Sequence, residues 1–379
     1  MIEIEDQIKI SLKLGTQEVF EELPHIVDVN VIEESGTSLP TATFRFRTDN
    51  VLLLNRLNEH NQLQLVMGVS GLDPESTYWY IQRVAVSRDG SEAWIVTAEC
   101  VKNTVAKWSK TLVETSEEFS CVERIKEVIE KADSLSESNV DVSQDKQRWI
   151  QYGCSHKQHL DDIWLHCDFE GNGFPLIANT LEGVRFYNGK DLLRQSYKVK
   201  ILYKQVGELG PSLLMDSEFG VEQTAGFLNS IGGRGMENSQ FNVESGEFML
   251  ISSEPEIILA NTEIANASSD FEKITNKVKY QSRNMHERYW EVYLNNLTHA
   301  IFFSSTKVKI FVKGKYVTMR PLDIVLLKDK DVATENDDKS VGHYSGVYVV
   351  SKIARRTFRA VHTTIIHLVR ESNNFMYTG

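Results

Sequence analysis

Cys154, His156 and His159, with His166 and Cys167 close behind, put two thiols and three imidazoles within fourteen residues. That is the ligand set zinc favours. The spacing Cys-x-His-x-x-His fits no standard knuckle or finger, however, and His159 and His166 share their helix face with Leu160, Ile163, Trp164 and Cys167, which read as a packing stripe. The expectation is partly buried polar residues and no metal. Nucleophilic hydrolysis would need a serine on a Gly-x-Ser-x-Gly turn, and the sequence has none. Ser230-Ile231-Gly232-Gly233-Arg234-Gly235 has the glycines of a phosphate loop but no Gly-Lys-Ser/Thr to place a lysine on phosphates, so it reads as a loop. The pairs Asp161-Asp162 and Asp337-Asp338 are adjacent rather than facing, and read as surface charge. Tyr78-Trp79-Tyr80 could stack sugars or bases, but strand alternation sends at least one ring to the core, which favours packing. No catalytic, cofactor-binding or metal-binding residue is assigned, and the chain is expected not to be an enzyme.

The elements that would position such residues are mostly strands. Ile8 to Leu14 alternates apolar and polar without a break, the period-2 pattern of a half-buried antiparallel strand. The same alternation recurs at Val27, Val29 and Val31, through Thr41 to Thr48 around Phe44 and Phe46, and at Leu63 to Val69. Tyr78 to Val86 and Ala93 to Val101 flank Arg88-Asp89-Gly90, where Asp-Gly supplies the positive φ of a tight turn. Val51 to Leu57 reads as a short helix plugging the end. Residues 1–110 are thus an antiparallel barrel or sandwich.

A helical pattern follows at Phe119, Val122, Ile125, Val128 and Ile129, with Ser120 and Glu123 as a capping box. Ser134 to Gln147 is polar and reads as a loop. A strand at Arg148 to Tyr152, a helix from His156 to Asp168 opened by Ser155 and Gln158, and strands Phe174 to Asn179 and Gly183 to Tyr187 complete an α/β unit over 111–195. Tyr197 to Tyr203 restarts the alternation. Residues 205–283 are irregular and rich in Gly, Asn, Ser and Glu, with one clear strand near Phe248 to Ile251, and read as an insertion. A helix at Asn284 to Leu294 is followed by strands at Ile301 to Phe303, Lys307 to Lys313, Ile324 to Leu327, Gly346 to Ile353 and Val361 to Val369, with a polar loop from Asp329 to Ser345.

The 379 residues are 41% hydrophobic and 25% charged, ordinary usage for a globular chain of several packed units. The start, Met1 to Asp6, is acidic where a secretory signal would be basic, so synthesis and retention in the cytoplasm are expected. Four scattered cysteines then read as reduced thiols. A formal net charge of −12 without a basic cluster argues against a protein that grips nucleic acid through its phosphates.

Three segments carry a resemblance: Thr104 to Trp108 with the helix after it; Trp149 to Tyr152 through Leu160 and Trp164 to Gly173-Phe174-Pro175-Leu176 and Gly183 to Tyr187; and the closing hairpin Gly346 to Ile353 with Thr363 to Arg370. In this order they resemble the central baseplate hub proteins of contractile-tailed phages, to which the hub part of type VI secretion spikes is similar. The resemblance implies a mainly β fold with α+β parts. Its units would be two tube-type antiparallel β-barrels (1–110, and 196–204 with 300–372), the α/β domain (111–195) and an inserted domain ending in a helix (205–299). It further implies a homotrimer in the virion tail baseplate, assembled in the host cytoplasm. Such a trimer adapts a sixfold tail tube to a threefold central spike. Its partners would be that spike, tail tube or tube-initiator proteins and the tape measure protein, with DNA passing through a channel without specific binding and with no stable membrane insertion. The alternative is a β-sandwich tail protein that binds receptors or glycans, which exposed aromatics in the insertion would favour; that region offers chiefly Phe219, Phe227, Phe241 and Phe248. A fused cell-wall hydrolase has neither the room nor the residues.

Overall fold

A computed structural model describes residues 8–16, 19–23, 25–57, 62–69, 75–90, 93–170, 173–203, 212–215, 219–223, 236–253, 275–281, 285–313, 317–329, 345–358 and 361–370. The glycine run 230–235 and the pair Asp337-Asp338 lie outside them, as does most of the 205–283 stretch. Among the described residues no helix is long and apolar enough to cross a membrane.

Strands β1 (Ile8–Thr16), β2 (Val19–Glu22), β3 (Ile26–Ser35) and β4 (Thr41–Thr48) precede the short helix α1 (Val51–Arg56). Asn50 caps α1, its side chain accepting from Leu52 N–H at 2.9 Å. Then come β5 (Gln62–Val69), β6 (Glu75–Asp89) and β7 (Ala93–Lys102). Gly90, at φ 72°, makes the expected turn between the last two. The strands pair in the order β2-β1-β5-β6-β7-β4-β3, all antiparallel. Their apolar phases meet in one core that includes Leu12, Val31, Phe44, Leu63, Trp79 and Ala98, so the sheet curls around its own buried face.

Helix α2 (Val105–Trp108) leads into β8 (Thr111–Phe119), a strand absent from the expected elements. Helix α3 (Cys121–Ala132) begins at the capping box foreseen for it: Ser120 Oγ accepts from Glu123 N–H, and the Glu123 carboxylate accepts from Ser120 N–H at 2.8 Å. Phe119 therefore ends a strand and does not open the helix. Short β9 (Leu135–Ser138) lies within the expected loop and pairs in parallel with residues 184–186. After β10 (Gln147–Ser155) comes α4 (His156–Ile163), capped by Ser155 and Gln158. The expected helix stops at Ile163, and residues 164–166 tighten into a 3-10 turn. The hairpin β11 (Pro175–Asn179) and β12 (Val184–Asn188) is buried along both strands, and α5 (Gly189–Leu193) follows.

The last part holds β13 (Val199–Tyr203), β14 (Ser212–Met215), β15 (Phe219–Gln223), β16 (Met236–Asn242), β17 (Phe248–Ser253) and β18 (Thr275–Gln281). Helix α6 runs over Tyr289–Phe303, so it starts later than expected and absorbs the strand read at Ile301 to Phe303. It packs against both the 3-10 turn and the separate β17-β16-β18 sheet. Asn296 anchors it, donating to Leu165 O at 2.8 Å and Cys167 O at 2.9 Å. Finally come β19 (Thr306–Lys313), β20 (Ile324–Asp329), β21 (Gly346–Phe358) and β22 (Val361–Arg370).

The second strand set repeats the first. In chain order β1, β3, β4, β5, β6 and β7 answer to β13, β15, β19, β20, β21 and β22, and the spatial order β1-β5-β6-β7-β4-β3 returns as β13-β20-β21-β22-β19-β15. Even the bulge repeats. Gln82 is the extra residue between the pairs Ile81–Cys100 and Arg83–Glu99, and Ser351 between Val350–Leu368 and Lys352–His367; each lies seven residues before the end of its strand. Core side chains fall in step as well: Phe44 opposite Ala98 matches Ile310 opposite Ile366, and Leu63 opposite Trp79 matches Val325 opposite Tyr348. One strand departs from the antiparallel expectation. β13 runs parallel to β20, where β1 runs antiparallel to β5.

Candidate assembly site

Val29, Val31 and Glu33 occupy the buried phase of β3, so a carboxylate stands where the alternation calls for an apolar side chain. A buried carboxylate must be paired to be tolerated. Its partner comes from the second strand set. Beyond its bulge, β21 leaves β20 and pairs antiparallel with β3 from Lys352–Glu34 to Phe358–Asp28, so the two sets form one continuous sheet. In that seam Arg355, 1% exposed, pairs with Glu33, 0% exposed. The rest of the guanidinium is spent on Val317 O at 3.1 Å and Met319 O at 2.6 Å. Arg320 reaches Glu33 at 3.3 Å, Glu75 at 3.1 Å and Glu182 at 2.8 Å. Burial pushes the Glu33 carboxyl up, but Arg355, Arg320 and the Leu181 N–H outweigh it and hold it below the usual range. At the seam's surface Lys352 meets Glu34 at 3.2 Å and Arg356 meets Asp28 at 2.7 Å.

The turn Arg320-Pro321-Leu322-Asp323 ties a third body to this seam. Asp323 pairs with Arg185 of β12 at 3.0 Å and with Lys198 at 2.9 Å, and Arg185 also donates to Pro321 O at 2.5 Å. Leu322, buried, adopts φ 72°, a conformation that costs a branched side chain of the order of 1 kcal/mol and persists only where packing enforces it. Residues of the first strand set, of the β11–β12 hairpin and of the second strand set thus meet at one four-residue turn.

The residues with chemical potential are dispersed or already engaged. His159 Nε2 accepts from Arg124 Nε at 3.1 Å, and burial, with Arg124 and His156 adding to it, lowers its pKa to about 4. His166 stacks on Tyr289, ring centres 3.7 Å apart, with Nδ1 3.2 Å from Tyr289 O. Cys167 is buried beside Cys121, whose thiol is pushed up by burial, while Cys154 is half-buried. No group of three His, Cys, Asp or Glu that could hold a metal occurs among the described residues. Asp161 pairs with Lys157 at 2.6 Å on the surface. Trp79 is wholly buried, edge-on to Phe44 at 5.9 Å, whereas Tyr78 is exposed. In the insertion Phe248, Met249 and Leu250 are exposed on β17, an edge strand.

No protein-family model and no curated protein matches the sequence. Solved structures do match the fold. A tail protein from Neisseria meningitidis superposes over 96% of this chain and 97% of its own, with a TM-score of 0.58 at 8% identity. The fold is that of phage tail proteins. The 43 kDa tail protein of prophage MuSo2 from Shewanella oneidensis matches equally, over 95% and 98% at TM-score 0.58 and 8% identity. An E. coli type VI secretion component, described as similar in structure to bacteriophage T4 tail proteins, shares the tail-protein fold over 95% of this chain and 77% of its own, at TM-score 0.53 and 7% identity. The tail-protein fold expected from the resemblance is therefore present, at identities where side chains have diverged almost completely.

Proposed function

We propose that this chain is the structural hub of a phage tail baseplate, a non-enzymatic virion component. In this reading it acts as a homotrimer that adapts a sixfold tail tube to a threefold central spike. The observation that carries it is the duplicated strand set, with the same strand order and the same bulge, joined edge to edge within one chain. Three such chains supply six like units, which resolves the mismatch between six and three without a change of subunit number. The units are the two tube-type barrels (1–110; 196–204 with 300–372), the α/β domain (111–195) and the inserted domain (205–299). Tail tube or tube-initiator proteins would meet the sixfold side, the spike the threefold side, and the tape measure protein and DNA would share the channel. Three copies of a chain with net charge −12 would repel a passing duplex rather than hold it.

Electron-microscopy class averages of the purified protein test this reading. A threefold ring with a central hole is expected, with light scattering at three times the 43.2 kDa chain mass. Only the single-chain mass at micromolar concentration, with no ring, would overturn it.

A further inference from the structure

Internal repetition makes every contact within the chain a template for one outside it. β21 pairs with β20 through its first part and, past the bulge, with β3 of the other strand set. Its counterpart β6 pairs with β5 through its first part, but past the bulge Arg83–Asp89 pairs, among the described residues, only with β7. Likewise β3 has both edges used, by β4 and β21, whereas its counterpart β15 pairs, among the described residues, only with β19. Among the described residues one acceptor edge and one donor edge are thus left over, of the same two kinds that the chain joins internally. An open edge with an exposed apolar residue such as Val86, 46% exposed, is a liability that pairing removes.

We propose that a second copy of this chain lays its β15 against residues Arg83–Asp89 of β6, antiparallel, repeating between chains the β3–β21 seam. The register follows from the equivalences. Val31 and Val221 are matched because they sit opposite Ala42 and Val308, which in turn sit opposite Cys100 and Leu368. Arg355 answers to Val86, since both lie four residues past the bulge. The pair Arg355–Val31 within the chain therefore becomes Val86–Val221 between chains, and Ala354–Ile32 becomes Ala85–Glu222. This places exposed Val86 on half-buried Val221, with the chain coming close at exposed Gly220. Charge fits as well. Arg83 stands where Lys352 does, and it lies diagonally from Glu222 on the same face, as Lys352 lies beside Glu34. Donor and acceptor are different edges, so the contact is head-to-tail, the kind that closes into the ring of the trimeric reading and not an isologous dimer.

This inference rests on the trimeric hub reading and deepens it, and one experiment separates the two. In an antiparallel pair, opposite Cα atoms lie about 4.5–5.5 Å apart, within disulfide reach. Mild oxidation of the full chain carrying both Val86→Cys and Val221→Cys is expected to give covalent three-chain species, while either single variant stays at one chain. Val86→Lys, at an exposed site, is expected to keep the circular dichroism of the wild type and to weaken association by roughly tenfold or more. A three-chain particle in which the double variant fails to link, or in which a single variant links to itself, or in which Val86→Lys associates normally, overturns this pairing and leaves the hub reading standing. A wild type that stays at one chain, together with a double variant that does not link, overturns both.

Discussion

Glu33 and Arg355 form a wholly buried ion pair across 322 residues of sequence, and it sits in the seam that makes two sheets one. Removing one partner leaves an uncompensated charge in the core, a loss of about 3–5 kcal/mol. Glu33→Gln is therefore expected to lower stability in urea by about that amount near neutral pH, read by tryptophan fluorescence. Because the Glu33 carboxyl is held below its ordinary value of 4.5, its contribution is present above that value and is lost as pH falls through the folded one. The gap between wild type and variant should thus close as the medium is acidified below about pH 4.5. A gap that stays constant down to acid unfolding would show that Glu33 is not the group involved.

His159 carries the opposite pH signature for a histidine gaining a partner, since burial and Arg124 keep it neutral down to about pH 4. The unfolded chain takes up a proton near the ordinary value of 6.5, so stability is full above that and declines as pH falls from 6.5 towards 4. Proton NMR of the imidazole should titrate near pH 4. A midpoint above 6 would mean that Arg124 does not donate to it.

Trp79 and Tyr348 occupy equivalent places in the two strand sets, each opposite its counterpart on β5 or β20 and each wholly buried. Truncation to alanine is expected to cost about 3–5 kcal/mol at either position. Trp79→Tyr, which installs the second set's own choice, should cost markedly less. Thermal unfolding of the three variants checks this, and a negligible loss at Tyr348 alone would mean that the second set is not packed like the first.

Ser120 is buried at the start of α3 and completes its capping box with Glu123. Ser120→Ala should lower stability by about 1 kcal/mol, and Ser120→Asp by much less, since aspartate also caps. Equal losses in chemical unfolding would argue that the hydroxyl serves packing rather than the cap.

What was legible in the sequence was local. The two capping boxes, the Asp89-Gly90 turn and the alternating strands depend on neighbours a few residues away, and they stand where the pattern put them. α6 was misplaced because Tyr289–Phe303 spreads its apolar residues around the circumference, with Glu291, Asn295, Asn296, Thr298 and His299 among them, and so shows little 3.6-residue rhythm. β8 was missed because only Leu112, Val113 and Phe119 of its nine residues are apolar. The seam itself left one readable trace, a carboxylate at Glu33 on the apolar phase of β3. Its partners Arg355 and Arg320 are settled only by the folded chain. The direction of β13 leaves no trace in alternation, because parallel and antiparallel strands share the same period.

The separation between β3 and β21 also sets a timetable. β3 is synthesised long before β21, the strand that covers its edge. Until then Asp28 to Glu34 present unpaired backbone and a carboxylate without its cation, the kind of edge on which nascent chains associate wrongly. Closing so distant a contact is slow. A chain cut short before residue 352 can neither cover β3 nor neutralise Glu33, so the seam forms only once β21 has been made.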